Sequence, residues 1–153
     1  MRIAIGSDHN AFEMKESIKS FIEELGFEVL DYGCHSCEAI DYPDVAFKVA
    51  QDIADNKVSR GILICGTGIG VAIAAGKVPG IRAALCHDTY SAERAQLSNN
   101  AQVLTMGSQI VGIEVAKKVV YTYLNCEFSG GNSKRKVQKI IDKEKEYTQK
   151  SFR

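Results

Sequence analysis

Five short apolar runs, most of them rich in β-branched residues, recur along the chain between segments with helical spacing. The runs are RIAI (2–5), FEVLDY (27–32), GILIC (61–65), IRAALC (81–86) and QVLTM (102–106). Strands that are apolar on both faces are typical of a parallel sheet that is covered by helices on both sides. The pattern therefore predicts five strands of one buried sheet.

The segments between these runs carry helix signals. Apolar side chains recur at helical spacing at Met14, Ile18, Phe21, Ile22 and Leu25, at Val45, Val49 and Ile53, and at Ala116, Val119, Val120, Tyr123 and Leu124. Gly26 follows the first set as a C-cap, and Pro43 opens the second helix. The order βαβαβαβαβα predicts an α/β fold, a three-layer α/β/α arrangement around a Rossmann-like five-stranded parallel sheet.

A last helical pattern follows Gly130 and Gly131, over residues 133–150. Its apolar positions, Val137, Ile140, Ile141 and Tyr147, form a narrow stripe, and its other faces are charged. We expect this helix to pack on a partner subunit and to serve in oligomerisation. Residues 1–153 are predicted to form a single domain, because a chain of this length buries a full core without metal or disulfide bonds.

Composition and charge narrow the classes of function. The chain has 19 basic and 19 acidic side chains, so no overall field favours nucleic acid or a membrane surface. The segment after residue 131 is basic, but acidic residues interrupt it and aromatic residues do not alternate with its charges, which favours a solvated face or a subunit contact. No stretch resembles a signal peptide or a membrane span, and five scattered cysteines are typical of a reducing compartment. We expect a cytoplasmic protein.

The stretch ILICGTGIG, residues 62–70, carries the candidate chemistry. Val71 stands where a dinucleotide fingerprint needs its third glycine, and Val71 and Val78 replace the glycine and the hydroxyl of a P-loop. The alternate glycines instead allow close approach of backbone N–H groups, and the helix that starts near Gly70 directs its positive end to the same space. This predicts a cradle for an oxyanion or a phosphate.

Several polar residues follow the predicted strands and are candidates for the site. Cys65 ends the third strand beside the cradle, whose field favours a thiolate, although a buried apolar role is the alternative. Thr67 is either a donor to developing negative charge or a turn former. Asp8 is either a helix N-cap or a binding residue, and His9 on its polar loop is placed for binding. The first strand lies beside the third in any order that begins 2-1-3.

Six segments together resemble the ribose-5-phosphate isomerase B family, whose related members act on galactose 6-phosphate and allose 6-phosphate. They are GSDHNAF (6–12), DYPD (41–44), ILICGTGIG (62–70), AAGKVPGIRAALC (74–86), GSQIVG (107–112) and the pair Gly130 and Gly131. The resemblance covers roughly residues 1–140. It implies homodimers or homotetramers with active sites at the subunit interface, and an enediol mechanism that uses neither metal nor nicotinamide.

The resemblance also implies roles for single residues. Cys65 is expected to remove the proton next to the carbonyl and to return it to the neighbouring carbon. Loop N–H groups and the Thr67 hydroxyl are expected to stabilise the enediolate. The substrate-binding residues implied are Asp8, His9, Gly66, Thr67, Gly68, Ile69, Gly70, Asn99 and Lys136.

Four positions depart from the family pattern. Ser98 stands where the resemblance places a histidine that opens the sugar ring. Gln109, Asn132 and Lys136 stand where it places phosphate-binding arginines, and only Lys136 keeps the charge. Since arginine grips phosphate through a planar fork of donors, we expect weaker phosphate binding. His87, at the end of the fourth strand, is a hypothetical replacement for the ring-opening histidine.

The sequence therefore predicts an aldose–ketose isomerase of a phosphorylated sugar, nominally ribose 5-phosphate. An isomerase for another sugar, either a hexose 6-phosphate or an unphosphorylated one, and a non-catalytic sugar-phosphate-binding subunit are the alternatives. No metal site is expected from Cys34 and Cys37, because zinc needs four ligands and no second pair has matching spacing. Cys86 and Cys126 are expected to be core residues.

Overall fold

The computed structural model describes residues 1–150, which form five strands, six α-helices and one turn of 3-10 helix. The strands are β1 Arg2–Ser7, β2 Glu28–Asp31, β3 Arg60–Cys65, β4 Ala83–Leu85 and β5 Val103–Gly107. The helices are α1 Phe12–Glu24, α2 Tyr42–Ala54, α3 Ile69–Gly76, α4 Thr89–Leu97, α5 Ile113–Leu124 and α6 Asn132–Lys150. All five predicted strands are present, although β4 is shorter than the apolar run over residues 81–86.

The sheet has the strand order β2-β1-β3-β5-β4, and every pair of neighbours is parallel. Strand β3 lies at the centre, and all of its residues are buried. Its last residues are in register with the ends of both neighbours, since Ile64 pairs with Ser7 of β1 and Cys65 pairs with Gly107 of β5. The register brings the carboxyl ends of three strands to one edge, as the predicted β1–β3 adjacency requires.

Two separate apolar cores confirm the three-layer architecture. One core joins the sheet to α1, α4 and α5 through residues such as Ile18, Ala92 and Val120. The other joins the opposite face to α2 and α3 through residues such as Val49 and Val71. The uniformly apolar strands are explained by this double coverage.

The end of α1 shows how a local signal fixes the path of the chain into β2. Gly26 has a φ of 95°, and its N–H donates to the Glu23 carbonyl at 2.9 Å. The Phe27 N–H reaches back to the Ile22 carbonyl at 3.4 Å, which completes a Schellman motif. The predicted glycine at the end of this helix is confirmed.

A fully buried lysine ties α1 to β2. Lys15 Nζ lies 2.8 Å from both carboxylate oxygens of Asp31 and 2.7 Å from the Cys34 carbonyl. Burial opposes the charged form of Asp31, but hydrogen bonds from Lys15, the Gly33 N–H and Lys19 outweigh it and hold the pKa of Asp31 below its ordinary value. This network fixes the loop after β2 beside β1, where the Cys34 N–H donates to the Ser7 carbonyl at 2.9 Å.

Helix α6 packs on its own chain more than the sequence indicates. Val137 is buried in the chain, and the Glu144 carboxylate accepts the Gly80 N–H at 2.9 Å. Ile140 and Tyr147 of the same stripe remain 52% and 63% exposed. The predicted contact with a partner subunit therefore concerns only these exposed positions and stays a prediction. No helix within residues 1–150 is long and apolar enough to cross a membrane.

We predict that Asp31→Asn lowers the free energy of unfolding at pH 7 by about 3 kcal/mol. This value is near the lower end of the range for breaking a buried ion pair, because Lys15 keeps its contact with Glu16 at 3.0 Å. A carboxyl group whose pKa is lowered in the folded state stabilises above its unfolded pKa, and the stabilisation disappears as the pH falls through the folded value. The difference in the free energy of unfolding between wild type and variant should therefore be constant from pH 7 to about pH 5 and shrink below about pH 4. Denaturant unfolding at several pH values measures it.

The matched control for this prediction is Glu28→Gln. Glu28 pairs with Arg2 at 3.4 Å, but both side chains are largely exposed, so the loss should stay below about 1 kcal/mol. An Asp31→Asn penalty that is the same at pH 3 and at pH 7 would show that the carboxylate charge is not what stabilises this site.

Candidate active site

The carboxyl ends of β1, β3 and β5 form the candidate site. The Asp8 N–H, directly after β1, donates to the Ile64 carbonyl of β3 at 3.3 Å. On the other side, the Ser108 N–H, directly after β5, donates to the Cys65 carbonyl at 2.9 Å. These backbone contacts hold Asp8 and the glycine loop side by side, as the sequence predicts.

Cys65 lies at the centre of this edge. Its side chain is buried, but 5% of the residue remains accessible to solvent. The thiol Sγ accepts the Gly68 N–H at 3.1 Å. Gly68 is the N-cap of α3, so the amide that points at the sulfur also lies at the positive end of a helix. A hydrogen-bond donor therefore stands where negative charge on this sulfur would develop.

Glycine is required twice at this edge because backbone segments touch. A Cβ on Gly68 would lie 2.6 Å from the Met106 carbonyl carbon, and Gly68 has a φ of 79°. A Cβ on Gly107 would lie 2.7 Å from the Cα of Thr67. The Thr105 hydroxyl further joins β5 to this loop by donating to the Gly68 carbonyl at 2.9 Å. The loop is held against β5 with no room for side chains between them.

Thr67 is exposed at the tip of the loop, and its Oγ1 accepts the Ile69 N–H at 3.3 Å. This contact is that of a turn-forming hydroxyl. The hydroxyl hydrogen is not used in it, so Thr67 keeps a donor for a ligand. Ile69 is 51% exposed, and Gly70 lies against the Tyr42 ring, which a Cβ would approach to 2.5 Å. Sequence reasoning did not identify Tyr42 as a neighbour of the site.

Asp8 and His9 start the turn that follows β1. The Asp8 carboxylate accepts the Asn10 N–H at 3.1 Å, so Asp8 caps the 3-10 turn His9–Ala11. The His9 Nδ1 accepts the Ile40 N–H at 3.2 Å. In the neutral ring this leaves the hydrogen on Nε2, which is the nitrogen that is free to donate to a ligand. The N-cap alternative for Asp8 is thus correct, and a ligand role is compatible with it.

His87 also belongs to this edge. Its Nε2 accepts the N–H of Gly107 at 2.9 Å, and the ring is half-buried. The neutral ring therefore carries its hydrogen on Nδ1. One nitrogen is already committed to the backbone, and a role for His87 in opening a sugar ring stays a hypothesis. Gln109 is a further neighbour, with its Oε1 only 3.2 Å from a Cβ built on Gly66.

The remaining predicted site residues lie at the other edge of the sheet. Ser98 and Asn99 follow α4 and precede β5, and the Asn99 carbonyl accepts from Arg82 Nε at 3.3 Å, before β4 begins. Each strand residue advances about 3.3 Å, so the stretch from Gly61 to Cys65 separates the two edges by about 13 Å. Within one chain, Asn99 is therefore not brought together with Cys65.

A cavity of about 400 Å³ opens at this second edge; we call it the amino-edge cavity. Its polar lining consists of Arg82, Ser91, Arg94 and Asn99, and α6 contributes Ile140. Lys136 precedes Ile140 by one helical turn and so lies on the same face of α6. Asn132 is exposed at the start of that helix.

Sequence reasoning missed Arg94. Its Nε and Nη2 donate to the Ser98 Oγ at 2.9 Å and 2.6 Å. The signal in the sequence was an arginine four residues before a serine at the end of a helix, which places the two side chains on one face. The position where the resemblance implies a histidine therefore holds a hydroxyl bound to a guanidinium.

The other cysteines are free in the described part of the chain. Cys34 is buried with its Sγ 3.6 Å from the Ser7 hydroxyl, whereas Cys37 is exposed. Cys86 is a core residue, and burial, with a smaller effect of Asp88, raises its pKa to about 11. Cys126 is only half-buried, so its assignment to the core was wrong. Residues 1–150 contain no group of three or more His, Cys, Asp or Glu side chains that could hold a metal ion.

Comparison with known proteins identifies relatives of this chain and solved structures with a similar fold. A family model described as Ribose/Galactose Isomerase matches residues 3–140. The chain is 50% identical to a D-erythrulose-4-phosphate isomerase of Pectobacterium atrosepticum, with 92% of this chain and 93% of the relative covered. It is 47% identical to a ribose-5-P isomerase B of Listeria innocua, with 90% and 93% covered. Its fold matches the solved ribose-5-phosphate isomerase B of Clostridium thermocellum with a TM-score of 0.94 and 46% identity, over 96% of this chain and 99% of the other.

We predict that Gly68→Ala destabilises the fold by at least about 2 kcal/mol, because it adds a Cβ in the left-handed region and against the β5 backbone. The matched control is Gly76→Ala, since a Cβ on Gly76 meets nothing within 4 Å and that residue ends α3. The control should be neutral or up to about 1 kcal/mol more stable. Denaturant unfolding of both variants measures the difference, and equal effects would contradict the close contact described for the loop.

Proposed function

Since the chain belongs to the ribose/galactose isomerase family, we propose that it is an aldose–ketose isomerase of a phosphorylated sugar, with Cys65 as its base. The observation that carries the proposal is the Cys65 Sγ at the end of the central strand, 3.1 Å from the Gly68 amide. Isomerisation moves hydrogen within one molecule, so the reaction needs no net oxidant or reductant.

In the proposed mechanism, the Cys65 thiolate removes the proton from the carbon next to the substrate carbonyl. The C–H electron pair forms the carbon–carbon double bond of an enediolate, and the carbonyl oxygen takes the negative charge. Cys65 then returns the proton to the neighbouring carbon while the oxygens exchange their protons. The barrier falls only if the oxyanion is stabilised as it forms. The backbone N–H groups of residues 66–70 and the Thr67 hydroxyl are the donors for that charge.

Asp8 and His9 orient the substrate in this proposal. The carboxylate of Asp8 accepts from substrate hydroxyl groups, and His9 donates through Nε2, which its contact with the Ile40 N–H leaves protonated. Both lie beside β3 through the Asp8–Ile64 backbone contact at 3.3 Å. Orientation matters because proton transfer requires the base within hydrogen-bond distance of the carbon acid.

A complete site requires two subunits in this proposal. Asn99 and Lys136 bind substrate in the site of a partner subunit, because they lie at the sheet edge opposite Cys65. The edge around Cys65 supports an interface, since Tyr42, Ile69 and Ile110 are 40%, 51% and 58% exposed there. Large exposed apolar side chains at one edge are typical of surfaces that a partner covers.

Ribose 5-phosphate is one candidate substrate, and D-erythrulose 4-phosphate is the second. The resemblance places a ring-opening histidine at position 98, but this chain has Ser98 there, bound by Arg94. The missing histidine favours the second candidate. A four-carbon sugar with its phosphate on O4 lacks the hydroxyl that closes a five-membered ring, so the substrate stays open and needs no such group. The relative from Pectobacterium atrosepticum that carries this substrate in its name supports the same choice.

We expect Cys65→Ser to lower kcat by at least about 100-fold with little change in thermal unfolding, because serine is a far weaker base than a thiolate at neutral pH. The control is Cys37→Ser, which changes an exposed cysteine and should keep wild-type activity. Proton NMR in D₂O measures the reaction through deuterium uptake at the isomerised carbon. Full activity of Cys65→Ser would remove the thiol from the mechanism.

We also expect D-erythrulose 4-phosphate to be converted with a higher kcat/KM than ribose 5-phosphate. Ser98→His should shift the ratio of the two kcat/KM values toward ribose 5-phosphate by about 10-fold or more, since an imidazole supplies the acid–base group for ring opening. A wild-type preference for ribose 5-phosphate would reverse the order of the candidates. Binding of sugar phosphates without any turnover would favour the alternative of a non-catalytic subunit.

A further inference from the structure

The amino-edge cavity contains a guanidinium with unused donors beside a predicted substrate-binding residue. Resting on the proposed function, we infer that Arg94, held in place by Ser98, binds the phosphate of the substrate and selects a sugar that carries this phosphate on O4. Of the three positions where the resemblance places phosphate-binding arginines, Gln109 and Asn132 are uncharged and Lys136 is a cation without a fork of donors, so forked recognition of phosphate requires another arginine.

The hydrogen bonds of Arg94 leave one edge of the guanidinium available. Ser98 Oγ takes the Nε and Nη2 donors, at 2.9 Å and 2.6 Å. A guanidinium carries five N–H groups, so three remain on its Nη1 and Nη2 edge. The Arg94 side chain is 42% exposed, and Glu93 is 4.0 Å from Nη1, too far for a hydrogen bond. A planar fork of donors therefore faces accessible space. This geometry allows bidentate binding of a phosphate group.

The surroundings of Arg94 favour an anion. Arg82 lines the same cavity, and the carbonyls of Gly80, Asn99 and Asn100 take three of its five N–H groups, so it contributes charge and two further donors. Lys136 stands on the face of α6 that carries Ile140 into the cavity. Glu93, next to Arg94, and Glu144, which acts on Arg82, offset only part of this positive charge.

The chemistry of the substrate explains why a guanidinium replaces an imidazole here. A five-carbon aldose closes its ring through O4, so the group that opens the ring must reach O4. In a four-carbon 4-phosphate the same oxygen carries the phosphoryl group. If position 98 faces O4, a histidine serves the first substrate and the Arg94–Ser98 pair serves the second, because a dianion requires charge and forked donors and no proton transfer.

The test compares Arg94→Gln with the matched control Arg2→Gln. Arg2 starts β1, three strands away from β4 along the sheet, and is half-exposed in a surface pair. With D-erythrulose 4-phosphate, Arg94→Gln should lower kcat/KM about 10- to 100-fold, mainly through KM, and Arg2→Gln should leave it unchanged. With unphosphorylated D-erythrulose, Arg94→Gln should equal the wild type. Arg94→Lys should recover only part of the loss, since it restores charge without the fork.

Inorganic phosphate gives a second measurement that does not depend on turnover. Calorimetry should show phosphate binding to the wild type and to Arg2→Gln, and at least about 10-fold weaker binding to Arg94→Gln. An equal loss on both sugars, unchanged kinetics, or phosphate binding that is the same in Arg94→Gln and wild type would overturn the assignment. A wild type that converts no sugar phosphate overturns the proposed function, and the phosphate titration still decides the role of Arg94.

Discussion

The contact between the Gly68 amide and the Cys65 sulfur depends on two backbone segments, the loop after β3 and the end of β5, that touch without side chains between them. Gly68 and Gly107 lie where any Cβ would come within 3 Å of the neighbouring main chain. Only this approach lets the loop after β3 lie against the end of β5. The amides at the N-terminus of α3 are then directed at the end of β3. The candidate base, its oxyanion donors and the start of α3 are therefore one unit, and a change in any part of it moves the others.

The parallel sheet imposes a division of the candidate site. Parallel strands collect their carboxyl ends at one edge, so Asp8, His9 and the Cys65 loop meet there. The helices return the chain to the opposite edge, and the residues at the end of α4 and the start of α6 are left there. The sheet is rigid and about 13 Å deep along β3, so no side-chain motion unites the two groups. A second subunit with its amino edge facing this carboxyl edge is the simplest way to complete the site.

Positive charge in the amino-edge cavity lies at other positions than those that the resemblance implies. At this edge Asn132 stands where the resemblance implies an arginine, but Arg94 and Lys136 keep positive charge near Asn99. The geometry matters more than the total, because a guanidinium held by a hydroxyl presents its donors in a fixed plane. A substrate whose phosphate lies one carbon closer to the reacting centre fits such a displacement of charge.

The sequence by itself determined the strands, the layer order and the glycine loop of the candidate site, because each is encoded in local periodicity or in a short run such as residues 62–70. It also identified Asp8, His9 and Cys65 as neighbours, since parallel strand ends must meet. Only the tertiary structure decided that Asn99 lies at the other edge, that Lys15 is buried against Asp31, and that Arg94 binds Ser98. These features depend on which helix face meets which neighbour, and hydrophobic spacing does not specify the partners of a charged side chain.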